Sequence, residues 1–145
     1  VGFWMASSRQ ILMLEDGLAI RSVGFNDNLD GTRFEGESPF KTGLHHIADG
    51  LQTRRQVDFT DGYRMGVILT SRFEKKGLET VHILDRDVEL LRVDEEIAMD
   101  GLGFTARNQY WVDPADGFIM ASVQHLTPEL PLRIVQVRPN KPVVQ

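Results

Sequence analysis

Residues 63–74 read YRMGVILTSRFE, and their alternation decides the fold class. Tyr63, Met65, Val67, Leu69 and Phe73 fall on one side. Arg64, Thr70, Arg72 and Glu74 fall on the other. A period of two held over this length is the pattern of a half-buried β-strand, because successive side chains leave a strand on opposite faces. Lys75-Lys76-Gly77 is then expected to turn the chain into a strand at 78–84.

The same alternation recurs on both sides. Ile11–Leu14 and Leu18–Ile20 flank Asp16-Gly17 as a compact hairpin. Val88–Val93, the run 104–112, Phe118–Leu126 and Leu132–Val137 read as further strands, nine or ten in all. The punctuation is an Asp-Gly pair at 16–17, 30–31, 49–50, 61–62, 100–101 and 116–117. Both residues tolerate the positive φ of a tight hairpin turn. No longer repeat accompanies these pairs, so they mark a meander and not a solenoid. One helix interrupts it. Ser38 can cap and Pro39 can start it. Phe40, Leu44, Ile47 and Leu51 share one helical face, Gly50 supplies a stop, and Gly43 weakens the middle. The expected fold is all-β with one short helix: a strongly curved antiparallel sheet or half-open barrel. Residues 1–138 are expected to form one domain and 139–145, with two prolines, a tail outside the sheet.

Composition narrows the function. A net charge of −5 argues against a general nucleic-acid binder. The absence of cysteine excludes disulfides, thiolate metal sites and a cysteine nucleophile from these residues. No apolar run approaches the roughly 20 residues that span a bilayer. The first residue is Val1, so the chain reads as processed or partial, and an anchor could lie in a missing N-terminal segment.

Several constellations compete with plainer readings. Asn26, Asn28, Asp30, Gly31 and Glu37 stand at EF-hand loop spacing. The flanks are strands where helices are required, and Arg33 takes a position that is usually apolar, so a turn is preferred. His45 and His46 would diverge on a helix. His82 and His125 lie in strands that could face each other, but no third ligand stands at a convincing spacing. The pairs Asp58 with Asp61 and Asp113 with Asp116 have the chemistry of a glycosidase; each also sits where aspartate favours a turn. Asp94-Glu95-Glu96 reads as a solvated turn. Tyr110 and Trp111 must point to opposite faces. An exposed Trp111 beside Arg107 or Gln109 would suit sugar stacking, although packing of both rings is the plainer reading. No G-x-S-x-G or phosphate-loop motif occurs. No catalytic, cofactor-binding or metal-binding residue is assigned.

The order of the segments resembles one family. NQYWVDPADGFIMASVQHLTPELPLRIVQVRP at 108–139 resembles the C-terminal part of the YjbF/GfcB/YmcC family, lipoproteins associated with group 4 capsule or exopolysaccharide. ILMLEDGLAIRSVGFNDNLDG at 11–31 resembles its early hairpin. SPFKTGLHHIADGLQTRRQVDFTDGYRMG at 38–66 resembles its helix and following strand. The resemblance implies an all-β periplasmic domain, lipid-anchored to the outer membrane through a cysteine outside this sequence. It implies no catalytic residues. The expected function is a non-enzymatic accessory role in capsule or exopolysaccharide assembly or export, by binding glycan or an outer-membrane export protein. The strand 63–74 or an edge strand could dock such a partner by strand addition. A carrier holding a lipid or lipid-linked sugar in an apolar half-barrel is the alternative. A polysaccharide-modifying enzyme using an Asp pair is the third.

Overall fold

The computed structural model describes residues 2–7, 10–23, 28–59, 64–99, 101, 103–127 and 130–136. They form ten strands and one short helix. In chain order these are β1 (Gly2–Ser7), β2 (Gln10–Glu15), β3 (Leu18–Val23), β4 (Leu29–Phe34), α1 (Pro39–Thr42), β5 (Gln52–Phe59), β6 (Arg64–Ile83), β7 (Arg86–Met99), β8 (Phe104–Val112), β9 (Ile119–Thr127) and β10 (Leu130–Val135). Strands β4 to β10 make one antiparallel sheet in sequence order, and β1 to β3 make a second. The larger sheet curls into a half-barrel. Alternation of apolar residues gives it a buried inner face, with Leu69, Ser71 and Phe73 of β6 all pointing inward.

The inner face carries two clusters. Leu29, Val57, Phe59, Leu69, Ile97 and Met99 fill one end. Phe73, Val93, Tyr110, Val112 and Ile119 fill the other, together with Leu18 from the small sheet and Phe40, Leu44 and Ile47 from α1 and the segment after it. The small sheet is tied down by Gln124 of β9. Its amide donates to Gly17 O at 2.8 Å and accepts from Ala19 N at 2.9 Å.

Several local expectations need correction. Lys75-Lys76-Gly77 is a bulge, not a turn. β6 runs on to Ile83, with its register against β7 shifting between Lys75 and Gly77. Lys75 pairs with Val93 and Gly77 with Arg92, so Lys76 is the one extra residue, absorbed without breaking the strand; beside it Lys75 N–H donates to Asp49 Oδ1 at 2.9 Å. The real corner is Leu84-Asp85, both at positive φ. Asp30-Gly31 likewise lies within β4 at a register shift. Asp16-Gly17, Asp49-Gly50 and Asp116-Gly117 do fall at turns. Asp61, Gly62, Tyr63 and Asp100 lie outside the described residues, as does the 139–145 tail. Strand addition to 63–74 is closed off, because β6 is hydrogen-bonded to β5 on one side and β7 on the other.

The helix is one turn long and ends well before Gly50. Ser38 caps it, its hydroxyl accepting from Phe40 N at 3.2 Å. Gly43 at φ +105° ends it, its N–H donating to Pro39 O. The apolar spacing was satisfied differently: irregular turns through 44–50 still bury Leu44 and Ile47. Gly43 and Gly117 are both required by the ring of His45. A Cβ would come within 2.5 Å of His45 Cε1 at Gly43 and 2.6 Å at Gly117.

Asp94-Glu95-Glu96 is not a solvated turn either. The three residues lie in β7, with Asp94 and Glu95 buried. Glu95 is in phase with Val93 and Ile97 and therefore points inward.

Candidate functional site

At the centre of the inner face, Glu95 is wholly buried and fully engaged. Its Oε2 accepts from Arg55 Nη1 at 2.6 Å and Ser71 Oγ at 2.5 Å. Its Oε1 accepts from Tyr110 OH at 2.7 Å and Asn108 Nδ2 at 3.1 Å. Burial alone would raise the Glu95 pKa. The Arg55 charge and the hydrogen bonds from Arg55, Ser71 and Tyr110 outweigh it and hold the group below its ordinary value. Burial, and then the Glu95 charge, push the Tyr110 phenol well above its usual range. Asn108 extends the network to His125, whose N–H and ring Nδ1 both lie 2.9 Å from Asn108 Oδ1. The void among Arg55, Asn108, Gln124, His125 and their apolar neighbours is about 20 Å³. Small-molecule sites usually measure roughly 300–1,000 Å³. Among the described residues the inner face is therefore a packed core with a polar centre, and the space beside Arg55 and His125 is too small for the lipid that the carrier reading would place there.

Open space lies instead on the outer face. A groove of about 1070 Å³ crosses β5 to β8, bounded on one side by the segment from Glu37 to Leu51. Its floor follows from register. Gln52, Arg72 and Glu96 pair across β5, β6 and β7, and Arg107 continues the row on β8. Arg54, Thr70, Ala98 and Thr105 form the next row. Apart from Ala98 these side chains are polar, as expected where they alternate with core residues on a solvated face. Glu96 is engaged by Arg107, whose Nε donates to it at 2.7 Å. Arg54 stands 3.7 Å from Glu35.

The residues singled out from sequence are dispersed. Asn26 lies outside the described residues. Asp30 belongs to extended β4 and faces Arg21 at 3.6 Å. At about 3.3 Å of rise per strand residue, β4 carries the chain away from Asp30 towards Glu37, so the two do not close around an ion. Asp58 accepts from Arg33 at 2.7 Å and from Gly66 N at 2.6 Å; the Arg33 hydrogen bond leads in holding it below its ordinary value. Its partner Asp61 lies outside the described residues. Asp113 and Asp116 accept from Ala115 N and Phe118 N, fixing the turn. His82 is exposed beside Asp87 at the β6–β7 tip, away from the Asn108 environment of His125. His45 and His46 do not diverge: their rings stack with centroids 3.8 Å apart, since the chain there is a turn and not a helix. Among the described residues no three potential metal ligands converge. Tyr110 is in the core. Trp111 is half-buried, its indole N–H donating to Glu79 at 3.2 Å and Arg92 lying 6.0 Å from its ring centre.

The sequence reading missed the groove rows and the Glu95 network. Phase could have found part of both: continuing the alternation of 88–93 through 99 puts Glu95 inside and Glu96 outside.

The histidines make stability depend on pH. His45 Nδ1 is buried without a hydrogen-bond partner. Burial and then His46 lower its pKa, with Lys75 adding to the effect and Asp116 and Asp113 opposing it. Burial lowers His125. The unfolded chain therefore takes up these protons at higher pH than the folded one. Stability from both groups is full above about pH 6.5 and is lost as pH falls through their folded values. Urea unfolding is expected to show a lower midpoint at pH 5 than at pH 7.5. An unchanged midpoint would contradict the assignment.

The fold and groove define a class: an antiparallel half-barrel domain with, among the described residues, a packed inner face and an external groove of mixed polar and apolar lining. A family model described as "Group 4 capsule polysaccharide lipoprotein gfcB, YjbF" matches residues 2–137, and the chain belongs to that family. It is 29% identical over 124 residues to "Uncharacterized lipoprotein GfcB" of Escherichia coli K12, covering 85% of this chain and 58% of that protein. The chain thus spans little more than half of that relative. The crystal structure of the hypothetical lipoprotein YmcC from Escherichia coli K12 is similar at a TM-score of 0.82 and 26% identity, covering 94% of this chain and 73% of that one.

Proposed function

We propose that this domain is a non-catalytic component of capsule or exopolysaccharide assembly or export, lipid-anchored at the periplasmic face of the outer membrane. It acts beside outer-membrane export proteins by holding polysaccharide in the outer-face groove. Family membership supports the process, and the relatives' names support the lipid anchor. One observation carries the mechanism. Among the described residues, a groove of about 1070 Å³ on the sheet's outer face is lined by polar side chains such as Gln52, Arg54, Thr70, Arg72 and Thr105 set among a larger apolar surface from Pro39, Ile47, Leu51 and Ala98. Its hydroxyls, amide and guanidinium groups are the groups that exchange hydrogen bonds with sugar hydroxyls. The volume exceeds the usual range for one small molecule, which suits several consecutive sugar units.

The test is direct binding of the bacterium's own surface polysaccharide by calorimetry. Exposed Thr105→Trp, placed on the groove floor, is expected to weaken binding at least tenfold with an unchanged melting temperature. In cells, deletion of the gene is expected to reduce surface polysaccharide, with rescue by the wild type and not by T105W. Unchanged surface polysaccharide after deletion would refute the role. Equal binding by T105W would refute the groove.

A further inference from the structure

We infer that the groove selects a polysaccharide bearing carboxylate groups, and that Arg72 is the residue that reads the charge. The inference rests on the groove being the polysaccharide site and adds the ligand's chemistry. It starts from the ion pairs of the lining. Glu96, directly across from Arg72 in the β6–β7 ladder, is turned to Arg107 on its other side at 2.7 Å. Glu35 faces Arg54 at 3.7 Å. Asp49, at the turn beside Arg72, accepts from Lys75 N at 2.9 Å. Each nearby carboxylate thus has another partner.

Arg72 is left exposed in the groove with no ion pair or hydrogen bond to the described residues. Its guanidinium reaches over the turn, because a Cβ on Gly50 would stand 4.0 Å from Arg72 Nη2. A guanidinium offers two parallel N–H donors that match both oxygens of a carboxylate. Gln52, paired with Arg72 on β5, adds an amide in the same row for neighbouring hydroxyls. Glu37, the remaining unpaired charge of the lining, sits beside the α1 cap Ser38 and not on the strand floor. With Glu35, Glu37 and Glu96 all lining the groove, a ligand of high charge density is repelled. A chain carrying single, spaced carboxylates avoids that repulsion.

The experiment compares two forms of the bacterium's surface polysaccharide: native, and chemically reduced so that each carboxylate becomes a primary alcohol. Calorimetry at low salt is expected to show the native form binding about tenfold more tightly, the scale of one charge-assisted pair at a solvated site. Added salt should narrow the gap. Arg72→Gln is expected to lose that advantage for the native form and to keep the wild-type melting temperature, since Arg72 holds no structural partner. If both forms bind the wild type equally, the charge inference fails and the groove reading stands. If Arg72→Gln still prefers the native form tenfold, the role of Arg72 fails. If neither form binds, both readings fail.

Discussion

Replacing Glu95 by alanine is expected to cost about 3–5 kcal/mol, the range for removing one partner of a buried ion pair. The effect is this large because Arg55 stays behind. Its side chain is 5% exposed and its charge has Glu95 as its ion-pair partner among the described residues. Ser71, Tyr110 and Asn108 would also lose the oxygens that satisfy them. Glu95→Gln should be milder, because the amide oxygen still accepts one donor. A double variant removing both charges, Arg55→Met with Glu95→Leu, should recover much of the loss, since the desolvation of both ions disappears with them. Equilibrium denaturation of the three variants tests the account. If Glu95→Ala and the double variant were equally unstable, lost packing and not a stranded charge would be the cause.

Phe40→Ala is expected to cost about 3–5 kcal/mol by the same measurement. Phe40 is 5% exposed, and its ring meets three others. The centroids of Phe34, Phe73 and Tyr110 lie at 6.1, 5.8 and 5.2 Å. α1 has four residues and no stability of its own at that length, so Phe40 holds it to the sheet. The segment from Glu37 to Leu51 also bounds the groove. The variant should therefore weaken polysaccharide binding at temperatures where the sheet is still folded. Phe40→Leu should restore most of the stability. A loss below 1 kcal/mol would mean the segment is held mainly by its backbone contacts, such as Gly50 N to Phe73 O at 2.8 Å.

How far the sequence could be read follows from which interactions are local. Strand phase is local, so the alternation of 64–74 and 104–112 marks inner and outer faces, apart from Met65, which the structure exposes. Asp-Gly turns are nearly local, but the same pair served as a bulge at 30–31, where Asp58 lies against Gly31. The helix failed for a similar reason. The spacing of Phe40, Leu44 and Ile47 requires burial of those residues, and a turn buries them as well as a helix does. The Glu95 network was illegible because its members come from β5, β6, β7 and β8. Nothing in the neighbourhood of Glu95 in sequence announces Arg55. The groove was hidden too, since its rows arise only when registers are known.

Strand order in the larger sheet is the order of synthesis. Each of β5 to β10 lies beside the strand that precedes it, so no segment must be threaded past another as the chain lengthens. Contacts between chain neighbours close at small entropic cost, and each new strand finds a waiting edge. The late event is the capture of the small sheet by Gln124. It joins positions 105 and 107 residues apart and must await the arrival of β9.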